Sequence, residues 1–185
     1  MRHRTTRHAL PSGPLRIRPG LAADASAVEA LVESVILEDR WFLTSPDEWQ
    51  PSAERRARDL EALLHAPASL ALVAVRDGAV LGLAQARAGT LRRTAHESHL
   101  DVYVAAGARG AGVGRTLLTE LVRRARERPE MHRIALAVFA DNHRARSLYE
   151  AIGFVEEGRR KGAGRERDGS LRDEILMAMD VGDQR

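Results

Sequence analysis

Six consecutive residues constrain this chain most: Arg109-Gly110-Ala111-Gly112-Val113-Gly114, set between an apolar stretch and an amphipathic one. Upstream, Leu100-Asp101-Val102-Tyr103-Val104 reads as a buried strand. Downstream, Val113, Leu117, Leu118, Leu121, Val122 and Ala125 recur at helical spacing. A glycine-rich turn from strand to helix presents several backbone N–H groups at the positive end of a helix dipole. Such a turn is an anion cradle, and phosphate is its usual occupant.

The rest of the chain narrows what that phosphate belongs to. With 185 residues, one domain is expected: a flexible basic tail over 1–14, a folded domain over 15–181 and a C-terminal tail over 182–185. Hydrophobic residues at 44% and charged residues at 30% describe a globular rather than a disordered chain. The longest apolar run, Leu70 to Val75, is too short to span a bilayer. The basic start is followed by Pro11-Ser12-Gly13-Pro14 rather than the apolar segment of a signal peptide. Cysteine is absent, which excludes disulfides and thiolate sites, and a cytoplasmic protein with no membrane partner is expected. Net charge is only +3, and the arginines of 55–58, 123–128 and 159–167 are interleaved with glutamates and lack an aromatic platform. No nucleic-acid partner is expected from that pattern.

The pattern of elements is β, α, α, β, β, β, α, β, α, β, β. Leu15 to Arg18 alternates as a first strand. Asp24 or Ser26 caps the helix that follows, with Glu29 completing a capping box from Ser26. From Glu38 to Pro51 the periodicity breaks, and this loop holds both tryptophans, Trp41 and Trp49, together with Phe42. Two roles fit these aromatics: lining a substrate pocket, or anchoring the loop on the core. Ser52 to His65 reads as the second helix. Asp77-Gly78 joins strands 70–76 and 79–87 as a tight hairpin. Residues 97–104 and 134–139 read as strands, and Asn142 to Ile152 as a short helix closed by Gly153. Phe154 to Arg159 and Leu171 to Met179 are the last strands, joined by a charged connection over 159–170. The fold class is α/β (α+β), a mixed central sheet flanked by helices.

Two nucleotide-binding motifs fail on this loop. A P-loop needs glycine where Arg109 stands and lysine where Arg115 stands. A dinucleotide fingerprint needs Gly-x-Gly-x-x-Gly after the first strand of a βαβ unit, whereas here Gly110-x-Gly112-x-Gly114 follows three hairpin-like strands. What remains, Arg-x-x-Gly-x-Gly after a strand in a mixed sheet, resembles motif A of the GNAT superfamily of N-acetyltransferases. Arg109, Gly112 and Gly114 match its pattern. Residues 140–154, with Asn142, Tyr149, Gly153 and Phe154, resemble motif B of the same family. The resemblance covers roughly Leu15 to Asp180.

The resemblance implies acetyl-CoA as acyl donor and a strand that splays from its neighbour to admit it. The pyrophosphate would be held by N–H groups from Arg109 through Gly110, Ala111, Gly112, Val113 and Gly114 to Arg115. The free backbone of Val102, Tyr103 and Val104 would pair with pantetheine, which behaves as an added strand. Asn142 is expected near pantetheine as well as at the helix N-cap. Tyr149 is expected to be the acid that protonates the leaving thiolate, its other role being packing on Phe154. Glu97, acting through water, is the expected base, with His96 and His99 as rivals. No metal is expected, because His96 and His99 lie three apart on a strand and face opposite sides. The acid pair Asp173-Glu174 is read as a solvated strand entrance or as a contact for a cationic substrate. A small-molecule primary amine, an amino acid or amine-bearing antibiotic, is the expected acceptor. A protein N-terminus or lysine, or a non-catalytic acyl-CoA-binding module, stands as the alternative. A homodimer through a sheet edge is compatible with the resemblance.

Overall fold

The computed structural model describes residues 13–182, so the tails expected at 1–14 and 182–185 lie almost wholly outside the described residues. Strand β1 (Arg16–Pro19) leads through a 3-10 turn into helix α1 (Ala25–Ile36), which is followed by α2 (Ala53–His65). The hairpin strands β2 (Leu70–Arg76) and β3 (Ala79–Ala88) precede β4 (Glu97–Val104) and helix α3 (Val113–Arg126). Strand β5 (Arg133–Phe139), helix α4 (His143–Ile152) and the strands β6 (Val155–Arg165) and β7 (Leu171–Asp180) complete the order. That order is the one the hydrophobic pattern predicts. At the β2–β3 turn, Asp77 and Gly78 take φ values of 48° and 80°, the left-handed pair that a two-residue hairpin needs.

Two local expectations are corrected. Strand β6 continues to Arg165, so the charged stretch 159–170 is mostly strand and only its end is a turn. Its charges suit an edge strand, which is protected from mispairing by such side chains. At the start of α1, Asp24 holds the N-cap position without a side-chain bond to the helix; its Oδ2 accepts from Leu21 N at 2.9 Å, closing the 3-10 turn before it, and the Ser26–Glu29 box does not form. Glu29 lies on the buried face of α1 and turns toward α2. There its carboxylate accepts from Arg56 Nε at 2.8 Å and from Ser52 N at 2.9 Å.

The sheet has the order β1-β2-β3-β4-β5-β7-β6. Only β4 and β5 run parallel; the other neighbours are antiparallel. One face carries Leu100, Ile134, Leu136, Ile175 and Met177 in one core cluster with the apolar side of α3, and Leu148, Tyr149 and Ile152 of α4 pack against it. The other face is covered over β2, β3 and β4 by α1 and α2, with Val73, Leu83 and Tyr103 in their cluster. No helix among the described residues is long and apolar enough to cross a membrane.

The Glu29–Arg56 pair joins α1 to α2 with both side chains only 8% exposed. Removing one partner of such a pair leaves a buried charge unanswered. Arg56→Met is expected to lower the unfolding free energy by about 3–5 kcal/mol, measured by urea denaturation. Replacing both residues with apolar ones of similar volume is expected to recover most of that loss.

Candidate active site

The parallel pair at the centre of the sheet parts after three residues. Glu97, Ser98 and His99 face Arg133, Ile134 and Ala135, and no pairing continues past them. Strand β4 remains paired with β3 up to Val104, so a wedge opens between β4 and β5 from Leu100 onward. Glu97 O accepts from Gly89 N, and Ala105 N donates to Leu81 O. These two bonds turn the backbone groups of odd-numbered β4 residues toward β3 and those of even-numbered residues toward β5. Val102 and Val104 therefore direct their backbone into the wedge. Tyr103 does not, which corrects the expectation for that residue: its backbone faces β3 and its ring stacks on Phe42 at 4.6 Å.

The loop after β4 lies at the open end of the wedge. Gly110 and Gly112 have φ values of 84° and 82°, a region that side chains disfavour. Gly114 serves differently, because a Cβ there would stand 3.4 Å from Leu148 of α4 and 3.6 Å from Val104. A methyl there would rest in ordinary contact with both. The N–H groups of residues 110–115 meet no backbone acceptor among the described residues. They fan out at the N-terminus of a 14-residue helix, which favours an anion.

Arg109 departs from its expected part. Its own N–H closes a short turn onto Ala106 O, so the cradle begins at Gly110. Its guanidinium donates Nε to Val104 O at 2.9 Å and grips both oxygens of Glu38 at 2.7 and 2.6 Å. The Arg109 guanidinium holds the Glu38 carboxyl below its ordinary range. The residue thus fastens the loop after α1 to the end of β4. Two other cations are left for an anion: Arg115 in the first turn of α3 and Arg144 of α4, neither with a carboxylate partner among the described residues. A Cβ on Gly110 would stand 3.3 Å from Arg144 Nη2, so that guanidinium overhangs the loop. Arg144 was not singled out from sequence; its place two residues after the helix-opening Asn142 is the signal that would have found it.

Helix α4 begins at the open end of β5. Asn142 is its N-cap, Oδ1 accepting from Ala145 N at 3.2 Å, and Gly153 closes it at a φ of 114°. Tyr149 packs edge-to-face on Phe154, with ring centroids 5.8 Å apart. Its hydroxyl makes no hydrogen bond within the described residues, and burial, helped by the Asp101 charge, pushes the phenol above its ordinary value. A phenol so placed stays protonated and is able to donate.

Glu97 is not brought to Tyr149. It stands at the closed end of the wedge, with its carboxylate on Arg133 Nε at 2.7 Å; Arg133 also binds Glu157. His96 lies before β4, its carbonyl accepting from His132 N and Arg133 N. His99 is an exposed side chain on the α1–α2 face, 4.0 Å from Asp101. Glu174 is no solvated entrance: it is 5% exposed and accepts from Arg160 Nη1 at 2.9 Å. Asp173 holds Arg159 and Gly162 N.

On the α1–α2 face, the loop after α1 forms the rim. Phe42 and Trp49 pack onto the α1–α2 cluster, so anchoring is the role of these two aromatics. Trp41 donates Nε1 to Glu38 at 2.9 Å. The β6–β7 turn clamps the same loop, Arg167 binding Asp39 at 3.1 Å and Asp47 at 3.0 Å. Arg172 reaches Arg40 O and Asp141 while lying over the Phe139 ring.

A wedge of unpaired strand backbone running into an N–H-lined helix start is shaped to suit an extended ligand, amide-like along its length and phosphorylated at one end. Residues 35–154 match the model of the Acetyltransferase (GNAT) family. The chain belongs to that family. It is 41% identical over 95 residues to the phosphinothricin N-acetyltransferase of Alcaligenes faecalis, a match covering 50% of this chain and 48% of that protein. The chain thus spans about half the length of that curated relative. The ribosomal-protein-alanine N-acetyltransferase of Brucella melitensis superposes with a TM-score of 0.79 at 32% identity, covering 89% of this chain and 99% of the other. A GNAT superfamily phosphinothricin acetyltransferase of Sinorhizobium meliloti, solved in complex with AcCoA, superposes with a TM-score of 0.79 at 25% identity, over 91% and 89% of the two chains.

Proposed function

We propose that this chain transfers the acetyl group of acetyl-CoA to the primary amine of a small molecule, an amino acid or an amine-bearing antibiotic. The observation that carries this proposal is the wedge between β4 and β5 opening onto the free N–H groups of residues 110–115. The cradle takes the pyrophosphate, with Arg115 and Arg144 adding charge. Pantetheine lies in the wedge and pairs with the backbone of Val102 and Val104. The Val104 carbonyl is held by Arg109, which leaves the Val104 N–H and both groups of Val102 for the arm. Asn142 caps α4 and offers its side-chain amide beside the same arm.

The thioester then lies by Tyr149. Amines have reference pKa values of about 8 for an α-amino group and about 10.4 for a lysine-type amine, so the acceptor arrives charged and must lose a proton before it attacks. Its neutral nitrogen adds to the thioester carbonyl, and the C–S bond breaks as the Tyr149 hydroxyl donates to the departing sulfur. The acceptor enters from the α1–α2 face, under the rim formed by 38–51 and the β6–β7 turn. The relationship to two phosphinothricin acetyltransferases supports a compact acceptor. The 32% identity to a ribosomal-protein-alanine acetyltransferase, which extends over 89% of the chain, favours a second reading, in which a protein N-terminus is the acceptor.

A screen of free amino acids, aminated antibiotics and an alanine-starting peptide, read by release of the CoA thiol, separates the two. Thiol release with small amines is expected. Release with the peptide alone would replace the acceptor class. No release with any amine, despite acetyl-CoA binding, would turn the chain into a binding module.

A further inference from the structure

The acceptor side of the wedge carries a carboxylate that the donor site does not use. Asp101 lies on β4 two residues past its last pair with β5, His99 with Ala135, and so stands in the opened part of the wedge. It shares a strand face with His99 and Tyr103, the face away from α3 and α4. Gln85, directly opposite on β3, donates Nε2 to Asp101 Oδ2 at 3.1 Å. The Gln85 amide is itself oriented, because Arg87 Nη2 donates to its Oε1 at 3.2 Å. Arg87 in turn is answered by Asp59 of α2 at 3.5 Å. One carboxylate oxygen is therefore fixed by Gln85, while Oδ1 accepts no hydrogen bond among the described residues and has His99 Nε2 4.0 Å away. The Asp101 side chain is 28% exposed, accessible yet sheltered. Its charge also acts on Tyr103 on its own strand and on Tyr149 of α4. Glu97, four residues earlier, has its carboxylate on Arg133 instead.

We propose that Asp101 is the proton acceptor for the attacking amine, with Gln85 as the residue that positions it. The proposal rests on the chain being an acetyltransferase. The acceptor ammonium gives one proton to solvent, and its nitrogen forms the C–N bond while the carbonyl pair moves onto oxygen. The nitrogen, now cationic and far more acidic than the free ammonium, passes a second proton to Asp101 Oδ1. The carbonyl re-forms, the C–S bond breaks, and the thiolate takes the Tyr149 proton, which solvent replaces. Asp101 returns its proton to solvent past His99. Ammonium and thioester thereby become amide, thiol and one released proton.

Asp101→Asn keeps the shape of the side chain, and its acetyl-CoA Kd is expected within twofold of the wild type by calorimetry. With the best amine of the screen, its kcat/KM at pH 7 is expected to fall about 100-fold. Hydroxide can take the second proton in place of the lost carboxylate, so the variant's rate should keep climbing above the pKa of the acceptor amine, where the wild-type rate levels off. Gln85→Leu, which frees the carboxylate to turn, is expected to lower kcat about tenfold with an altered pH profile and an unchanged acetyl-CoA Kd. Asp101→Ala, in which added formate should restore turnover, covers the case of an Asn variant that does not fold. An Asn variant within threefold of wild type with the same pH profile, or an Ala variant indifferent to formate, overturns the role of Asp101 and leaves the donor site standing. A wild-type protein that neither binds acetyl-CoA nor releases thiol overturns the acetyltransferase reading itself.

Discussion

Tyr149→Phe is expected to lower kcat about 100-fold at pH 7, the low end of what a positioned acid contributes. The low end applies because a thiol, with a reference pKa of about 8.5, is already a tolerable leaving group. The substitution removes one oxygen and little else. The ring stays edge-to-face on Phe154, and the lost hydroxyl has no partner within the described residues. Stability by thermal unfolding and the acetyl-CoA Kd by calorimetry are therefore expected to stay near wild-type values. A loss confined to kcat assigns the hydroxyl to the departing sulfur. An unchanged kcat would leave Tyr149 as a packing residue of α4.

The second large effect is expected at Gly112→Val. Gly112 has a φ of 82°, a region that costs an ordinary residue roughly 1–2 kcal/mol and is an outlier for a β-branched one. No atom lies within 4 Å of a Cβ built there, so the penalty comes from the backbone and not from a clash. The loop must rotate to relieve it, which turns N–H groups away from the anion. Losing two charge-assisted bonds, at about 1.5 kcal/mol each, predicts acetyl-CoA binding about 100-fold weaker. Gly114→Ala is the control. Gly114 has an ordinary φ and its new methyl would only touch Leu148 and Val104, so a loss under tenfold is expected by calorimetry. Equal losses at both positions would mean that the loop responds to bulk and not to backbone geometry.

The features that can be read from the chain are the local ones. The Asp77-Gly78 hairpin, the Asn142 cap, the Gly153 stop and the glycine loop each depend on residues a few positions apart, and each forms as expected. The site's remaining geometry depends on partners far along the chain. Arg109 looks like a phosphate ligand until Glu38, 71 residues away, occupies its guanidinium. The backbone parity of β4 depends on its hydrogen bonds with β3, so nothing in Val102-Tyr103-Val104 tells that Tyr103 turns from the wedge. Glu97 and Asp101 alternate onto one strand face and look equivalent in sequence. They part company because β5 stays paired beside one and leaves the other open. Strand β6 escaped recognition over its second half because an edge strand facing water lacks apolar alternation.

On this reading the wedge and the cradle together hold acetyl-CoA. Calorimetric titration of the wild-type protein with acetyl-CoA tests it most directly, with ATP and NAD titrated in parallel. Saturable binding of one acetyl-CoA per chain, far tighter than either nucleotide, is the result predicted. Binding of ATP or NAD without binding of acetyl-CoA would contradict it.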